Sequence, residues 1–547
     1  MNRRDFLKTS SLAWGSLIWG GALSSCSLGG ARKPNFLVIL MDDMGFSDAG
    51  CYGGEIRTPH IDALASNGIR FTNAYNAGRC WPSRACMITG YYPQQIRRDE
   101  MPGIKMAARP SWAHGIPEYL KPLHYRSYLS GKWHIDRPPE VAGFDRVFSY
   151  DDTDHHFLST ERMQGDENQP INPSDPEGYY ASAAVADHAI RYLDEHARDH
   201  SEKPFFCYLA LTEPHFPLQA PQKEIERYRD RYLEGWDSIR QARWKKLQKS
   251  GIVQSPLSAP DPDIVFPWNL KRAKLKEKFG QGEVDKAVPW ESLTEEEKHF
   301  QANKMAIHAA MIERADREIG RVIGQLKRMN VYDNTVIIFA SDNGASAEQM
   351  IRGDGHDPAA PMGSPKSYLS LGPGWSTAAN TPFRLHKSWM HEGGISTPLI
   401  VHWPQGISAR GELRHDPVHF VDVLPTVLDL ARSPIRPLQS EAPPLAGVSL
   451  VPSWKNKPVS RQDALWWCHR GNRAIRKGKW KMVTLGDGEW ALYDLDKDRG
   501  EMNDLTTQHP EIVKELKTAW ERKGQSFIER LKNEPEISTP SSGGSHH

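Results

Sequence analysis

The sequence predicts an α/β fold around one large, mostly parallel sheet, with a smaller α+β unit towards the C-terminal end. Three observations predict it. Three apolar runs each end in polar residues: NFLVILMDD at 35–43, FFCYLALTEPHFP at 205–217 and TVIIFASDNG at 335–344. Such runs fit strands buried on both faces. Helical patterns alternate with them, at 182–199 and 295–329, which is the alternation of an α/β sheet. Beyond a proline-rich stretch the pattern changes to short strands joined by turns.

Taken in chain order, residues 1–25 read as an export signal. MNRRDFLK carries Arg3-Arg4, and SLAWGSLIWGGAL follows, too short and glycine-rich for a membrane span. Paired arginines mark twin-arginine export. The segment ends in Leu23-Ser24-Ser25-Cys26, a lipobox pattern, so Cys26 is expected to carry lipid and 26–34 to act as a tether. The expected location is therefore outside the cytoplasm, periplasmic or at the cell surface.

Residues 35–435 form the expected catalytic domain. Within it, 221–248 read as helical and charged, and SPLSAPDPDIVFPWNL continues an insertion that shapes the pocket rim. Residues 352–380, rich in glycine, proline and serine, read as a long surface loop. SPIRPLQSEAPPLAG at 433–447 marks a boundary. The C-terminal unit, 436–533, is expected to form a small antiparallel sheet from RAIRKGKWKMV and EWALYDLDKDRGEMNDL, then a helix over 510–532. Residues 534–547 read as a disordered tail.

The 547 residues carry 69 lysines and arginines against 68 acidic groups, a net charge of +1. No field draws in nucleic acid, and none is expected as a partner. Six cysteines, at 26, 51, 80, 86, 207 and 468, are too few for a disulfide scaffold in so long a chain. One bridge among those left after Cys26 and Cys80 is allowed, with no pairing assigned.

In α/β sheets, sites gather where strands end. Asp42-Asp43, His215 and Asp342-Asn343 would then converge. Three carboxylates and an amide oxygen suit calcium or magnesium better than zinc; Asp-Asn-Gly by itself reads equally as a turn. Lys132 and His134, in GKWH, are two residues apart and share a face of an extended chain. With His215, Lys387 and Arg84 they describe a positive pocket for an anionic ester. Each alone is an ordinary surface cation or satisfied histidine. Trp112, Trp133, Trp375 and Trp389 are read as ring-stacking surfaces or as core. Cys80, in CWPSRACMITG, reads as an exposed thiol that is either a nucleophile or part of a strand-to-helix junction. A soft thiolate fits badly beside a hard cation.

CWPSRACMITG resembles the signature of type I sulfatases, Cys-x-Pro-Ser-Arg followed by Thr-Gly. The resemblance implies that a maturation enzyme oxidises Cys80 to formylglycine (3-oxoalanine), whose hydrate is both nucleophile and oxygen ligand. By the same resemblance, Asp42 and Asp43 in LMDDMGFSDAGCYGG, Asp342 and Asn343 in SDNG, and residue 80 hold calcium, with magnesium the second choice. Arg84, Lys132, His134, His215 and Lys387 match the sulfate-site residues. The implied fold resembles alkaline phosphatase with a small C-terminal domain. The implied reaction is hydrolysis of an aryl or carbohydrate sulfate monoester. His215, with Lys387, would protonate the leaving group, and His134 would break down the sulfated intermediate. PHFPLQAPQKEIERYRDRY looks like bacterial arylsulfatases. The likeness spans roughly 33–533, with one departure: many family members carry arginine where Ser396 stands, which is expected to change ion pairing near Lys387. Two other readings stand beside it, a phosphoester or phosphonate monoester hydrolase on the same fold and a lipoprotein that binds sulfated glycans without cleaving them.

Overall fold

Strand β1 (Asn35–Met41) is buried along its whole length. Successive side chains of a strand face opposite ways. Leu37, Ile39 and Met41 enter one apolar core, and Phe36, Val38 and Leu40 enter another. One sheet therefore has helices on both faces, which is why the run reads as continuously hydrophobic. A computed structural model describes residues 32–152, 155–157, 164–165, 178–352 and 355–534. The expected export signal, Cys26 and residues 535–547 lie outside the described residues.

The other strands of this sheet are β2 (Ile69–Phe71), β3 (Arg126–Lys132), β4 (Arg146–Tyr150), β5 (Gln164–Gly165), β6 (Phe205–Ala210), β7 (Thr335–Ser341), β8 (Leu399–His402) and β9 (Glu412–Arg414). Their order is β9-β2-β8-β7-β1-β6-β3-β4-β5. The block β7-β1-β6-β3-β4 is parallel throughout. β8 runs antiparallel to both its neighbours, and β5 antiparallel to β4. The sheet is mixed and mostly parallel, as the sequence predicts.

The helices that matter here are α1 (Cys80–Thr89), α2 (Ala181–Asp199), α3 (Gly235–Lys249), α4 (Glu295–Arg328), α5 (Gly372–Ala379), α6 (Glu392–Ile395), α7 (Val423–Leu430) and α8 (Pro510–Leu531). α2 and α4 cover the face of Leu37 and Ile39; α1 and α7 cover the other. α4 begins at a capping box in which Thr294 and Glu297 satisfy each other's backbone N–H groups. Glutamates fill its first turn and Lys327-Arg328 its last, opposing the helix dipole.

Downstream, β10 (Leu465–His469), β11 (Asn472–Lys477), β12 (Trp480–Thr484) and β13 (Trp490–Asp494) form an antiparallel meander. α8 packs against it, with Trp466 stacked on Trp520 at 5.4 Å between centroids. Trp466, Trp520 and Phe527 belong to the same apolar core as Phe36 and Val38. The proline-rich boundary in the sequence is thus a change of architecture without a break in the core.

Three expectations need correction. Residues 352–380 are not one surface loop: 367–380 are buried and include α5, because Trp375 anchors that segment with its indole N–H donating to Gln301 O. Glu534, expected in the disordered tail, is held in place: its carboxylate accepts from the Trp112 indole at 2.8 Å and its carbonyl from Arg97. The cysteines of the described residues, 51, 80, 86, 207 and 468, are all free. The strand β10 was not expected either: LWWCH has no polar alternation because both its faces are buried.

Candidate active site

The parallel strands deliver their C-terminal ends to one place. Asp42 and Asp43 follow β1 directly. Adjacent carboxylates would diverge in an extended chain, but Asp43 has φ of 65°, a left-handed turn that brings both round to the same side. Asp342 and Asn343 follow β7. The Asp43 N–H donates to Asp342 Oδ1 at 3.4 Å, and Asn343 Nδ2 donates to Asp43 Oδ1 at 2.6 Å. Gly344 is required next, because a Cβ there would lie 1.9 Å from Gly393 O. Lys132, the last residue of β3, reaches Asp42 Oδ2 at 2.6 Å; Lys387 reaches Asp43 Oδ1 at 2.8 Å. His215, after β6, places Nε2 3.7 Å from Asp43 Oδ2.

Arg84 differs from its expected role. It is fully buried, and its Nε and Nη2 both donate to Asp342 Oδ2, at 3.0 and 2.7 Å, while Nη1 donates to Lys132 O at 2.9 Å. It orients a carboxylate and the end of β3 rather than presenting a free fork to a ligand.

Cys80 opens α1, where the unsatisfied N–H groups and the dipole favour negative charge. It is 3% exposed, so the expectation of an exposed thiol is overturned. Burial raises its pKa, against the pull of Lys132 and Lys387. The His134 ring meets Trp81 edge-on at 5.7 Å, one residue from Cys80, and its backbone N–H donates to Asp151. Burial and the neighbouring Lys132 hold the His134 imidazole well below its usual range. Burial also lowers His215. The His215 Nδ1–H donates to Phe216 O at 2.6 Å, so the neutral ring turns a lone pair on Nε2 towards Asp43.

The oxygens fit a hard cation. Asp42 Oδ1 and Asn343 Oδ1 are buried without a hydrogen-bond partner, an arrangement that costs free energy unless something binds them. Burial, with Asp42 close by, pushes the Asp342 carboxyl up to about 7. Among the described residues, Asp42, Asp43 and His215 bring ligand atoms within 4.8 Å of one another.

Sequence reasoning missed a second ring of charge. Asp152 accepts from Lys132 at 2.9 Å and pairs with Arg352 at 2.6 Å. Glu348, fully buried, pairs with Arg79 at 3.1 Å and lies 3.5 Å from Lys387. Arg79 packs over Trp81 at 5.1 Å and Trp268 at 5.7 Å. Arg79 directly precedes Cys80, and Glu348 stands six residues past Asp342, so proximity to the motifs was the available signal. The expected insertion does reach the rim, through Trp268, whose indole N–H donates to Glu348 Oε1. Of the tryptophans singled out, Trp112, Trp133 and Trp375 are core; Trp389 packs on Phe266, next to Trp268.

Residues 34–433 match the sulfatase family model. The chain belongs to the sulfatase family. It is a type I sulfatase, a sulfuric ester hydrolase that resembles bacterial arylsulfatases. Residues 383–526 also match the C-terminal model of N-sulphoglucosamine sulphohydrolase. The chain is 33% identical to an uncharacterized sulfatase of Schizosaccharomyces pombe, covering 90% of this chain and 93% of that one. It is 28% identical to an arylsulfatase of Klebsiella aerogenes, covering 81% and 98%. Ps i-CgsB, solved with k-i-k-neocarrahexaose, shares the fold at a TM-score of 0.62 and 22% identity, covering 90% and 93%.

The departure at Ser396 has a structural answer. Ser396 Oγ donates to Glu392 Oε2 at 3.0 Å, and Arg499, from the C-terminal unit, donates to the same oxygen at 2.9 Å and to Ser396 Oγ at 3.3 Å. A guanidinium is therefore present, supplied from another part of the sulfatase chain. Lys387 keeps Asp43 and Glu348 as partners, so the change falls at Glu392 and not at Lys387.

Proposed function

We propose that this sulfatase hydrolyses aryl or carbohydrate sulfate monoesters outside the cytoplasm, with calcium held by Asp42, Asp43, Asp342 and Asn343 and formylglycine made from Cys80. The observation that carries the reading is the pair of orphaned buried oxygens, Asp42 Oδ1 and Asn343 Oδ1, in a carboxylate cluster beside Cys80. A hard cation with oxygen ligands is the chemistry those atoms accept. When bound, calcium would polarise the sulfate group and lower the pKa of a coordinated hydroxyl. The hydrated aldehyde at residue 80 would supply that hydroxyl as nucleophile.

The side chains around it have work that follows from their chemistry. Lys132 and Lys387, now paired with Asp42 and Asp43, would share their charge with the sulfate oxygens. His215, with Lys387, would pass a proton to a poor leaving group once Nε2, the nitrogen facing Asp43, has taken one up. Neutral His134 would accept the proton of the remaining residue-80 hydroxyl as sulfate departs. Arg3-Arg4 and Cys26 support export and lipid anchoring, and a formylglycine-generating enzyme is the required maturation partner.

Peptide mass spectrometry and elemental analysis test this on native protein. Formylglycine at residue 80 and one calcium per chain are expected; unmodified cysteine with full sulfatase turnover, or stoichiometric zinc, would overturn the assignment. The histidines separate by leaving group. His215→Ala should slow alkyl sulfates by about 100-fold or more and spare activated aryl sulfates. His134→Ala should accumulate a sulfated enzyme whatever the leaving group.

A further inference from the structure

The hairpin between β10 and β11 ends in a two-residue turn, with His469 paired to Asn472. Both central residues are left-handed, Arg470 at φ 48° and Gly471 at φ 80°. Such turns favour Asn, Asp or Gly at the first position. An arginine there runs against the local preference.

The turn is docked on the active site from two sides. At one end, the His469 ring meets Trp81 edge-on at 5.6 Å, next in the chain to Cys80, and His469 Nδ1 pairs with Asp99 at 2.8 Å. At the other, Asn472 Nδ2 donates to the carbonyl of Ser388, next in the chain to Lys387. Between them Arg470 is exposed, and its guanidinium carbon lies 4.6 Å over the Trp268 ring. Trp268 is fixed in turn through Glu348, the partner of Arg79 and neighbour of Lys387.

Arg470 forms no ion pair with a carboxylate among the described residues. Partial burial and the nearby Arg79 charge push its guanidinium below the usual arginine range. Stacking on an aromatic face holds a guanidinium in place while leaving its N–H edge free to bind. An exposed cation fixed at the mouth of an anion-processing pocket is arranged to meet a further anion.

We propose that Arg470 is a second anion-recognition position, which takes a sulfate or carboxylate carried by the alcohol half of the substrate. The proposal rests on the sulfatase reading of the adjoining pocket, and it makes the favoured substrates polyanionic: sulfated sugars bearing another acid group. One hydrogen-bonded charge pair of this kind is worth about 10- to 100-fold in selectivity.

Matched substrates test it. 4-Carboxyphenyl sulfate is compared with 4-carbamoylphenyl sulfate, and glucosamine 2-N,6-O-disulfate with glucosamine 6-sulfate, on wild type, Arg470→Ala and Arg470→Glu. The wild type should favour the member with the second anion in at least one pair. Arg470→Ala should reduce the ratio of kcat/KM within that pair by about tenfold or more, and Arg470→Glu should invert it. The aryl pair reads a carboxylate and the sugar pair a sulfate, so the preference assigns the anion. Calorimetry of the same two sugars with Cys80→Ala, alone and with Arg470→Ala, reads binding without turnover. It decides the role of Arg470 even if no sulfate ester is hydrolysed, a result that would count against the catalytic reading alone. No preference for a second anion in either turnover or binding, or an equal loss for both members of each pair, overturns the proposal.

Discussion

In the cluster around Asp42, Asp43 and Asp342, Asp42 Oδ1 has no hydrogen-bond partner, and neither has the neighbouring Asn343 Oδ1. In the cluster around Glu392, both oxygens are taken: Oε1 by Lys481 at 2.9 Å, and Oε2 by Tyr75, Ser396 and Arg499. Glu501 adds an acceptor for the Glu392 N–H and a second oxygen for Lys481, at 2.7 and 2.8 Å. Both clusters are buried, and both mix carboxylates with lysine and arginine. They are also joined, since the Gly344 N–H donates to Gly394 O, inside α6. The difference lies in what faces the oxygens that accept no hydrogen bond. Glu501 Oε1 is one of them, and the Lys481 ammonium stands 2.8 Å from it. A cluster whose oxygens each face a donor or a cation holds parts of the chain together, whereas one that leaves oxygens open keeps a place for something else.

Three substitutions and one pH series sharpen or break that contrast. The largest expected effect is from Lys481→Met. It takes the cation from buried Glu501 and leaves Glu392 Oε1 open, and it should cost about 3–5 kcal/mol in urea unfolding, while the folded protein keeps its metal and its turnover. Lost turnover at unchanged stability would show that the two clusters act as one. Asp342→Ala should do the reverse. Turnover and bound calcium should fall together, by more than about 100-fold, or about 3 kcal/mol of transition-state stabilisation. Stability of the chelator-treated protein should fall less than in Lys481→Met, because a crowded carboxylate is gone and the buried Arg84, losing its two bonds to Asp342, keeps Asp42 at 3.7 Å. A loss like that of Lys481→Met would contradict the contrast.

The pH series concerns Glu501. Burial, with Glu392 beside it, raises its carboxyl to about 7 from an ordinary 4.5, against the pull of Lys481. A raised carboxyl binds its proton in the folded protein before it does in the unfolded one. Its contribution is therefore complete below pH 4.5 and is lost as pH rises through 7. Over that window wild type should lose up to about 3 kcal/mol relative to Glu501→Gln, read from paired unfolding curves. Parallel curves would remove Glu501 from the account. The smallest effect is from Ser396→Ala, about 1 kcal/mol, since Arg499 and Tyr75 still serve Glu392.

Much of this was legible from local pattern. The apolar runs gave β1, β6 and β7, and the carboxylates at two of their ends fell where parallel strands place them. The apolar period of α4 marked it to within one residue. The second ring of charge was not legible, because Asp152, Glu348, Arg79 and Arg352 meet only through the sheet order, across up to 269 residues between Arg79 and Glu348. The partners of Arg84 were not legible for a related reason. A guanidinium suits a carboxylate and a sulfate equally, and only the fold decides which it meets. The segment 352–380 misled because glycine and proline were read as loop chemistry, while Trp375 drew part of it into the core.

The salt link from Arg499 to Glu392 bears on how this chain has been free to change. A position that loses its own arginine while a distant segment supplies one becomes committed to that segment. The C-terminal unit then stops being an exchangeable module. Transplanting the corresponding unit of a relative that keeps arginine at position 396 would leave the glutamate with no guanidinium, and the reciprocal graft would set two against it. Descent through this family should show the two positions altering as a pair, so that residue 396 foretells residue 499.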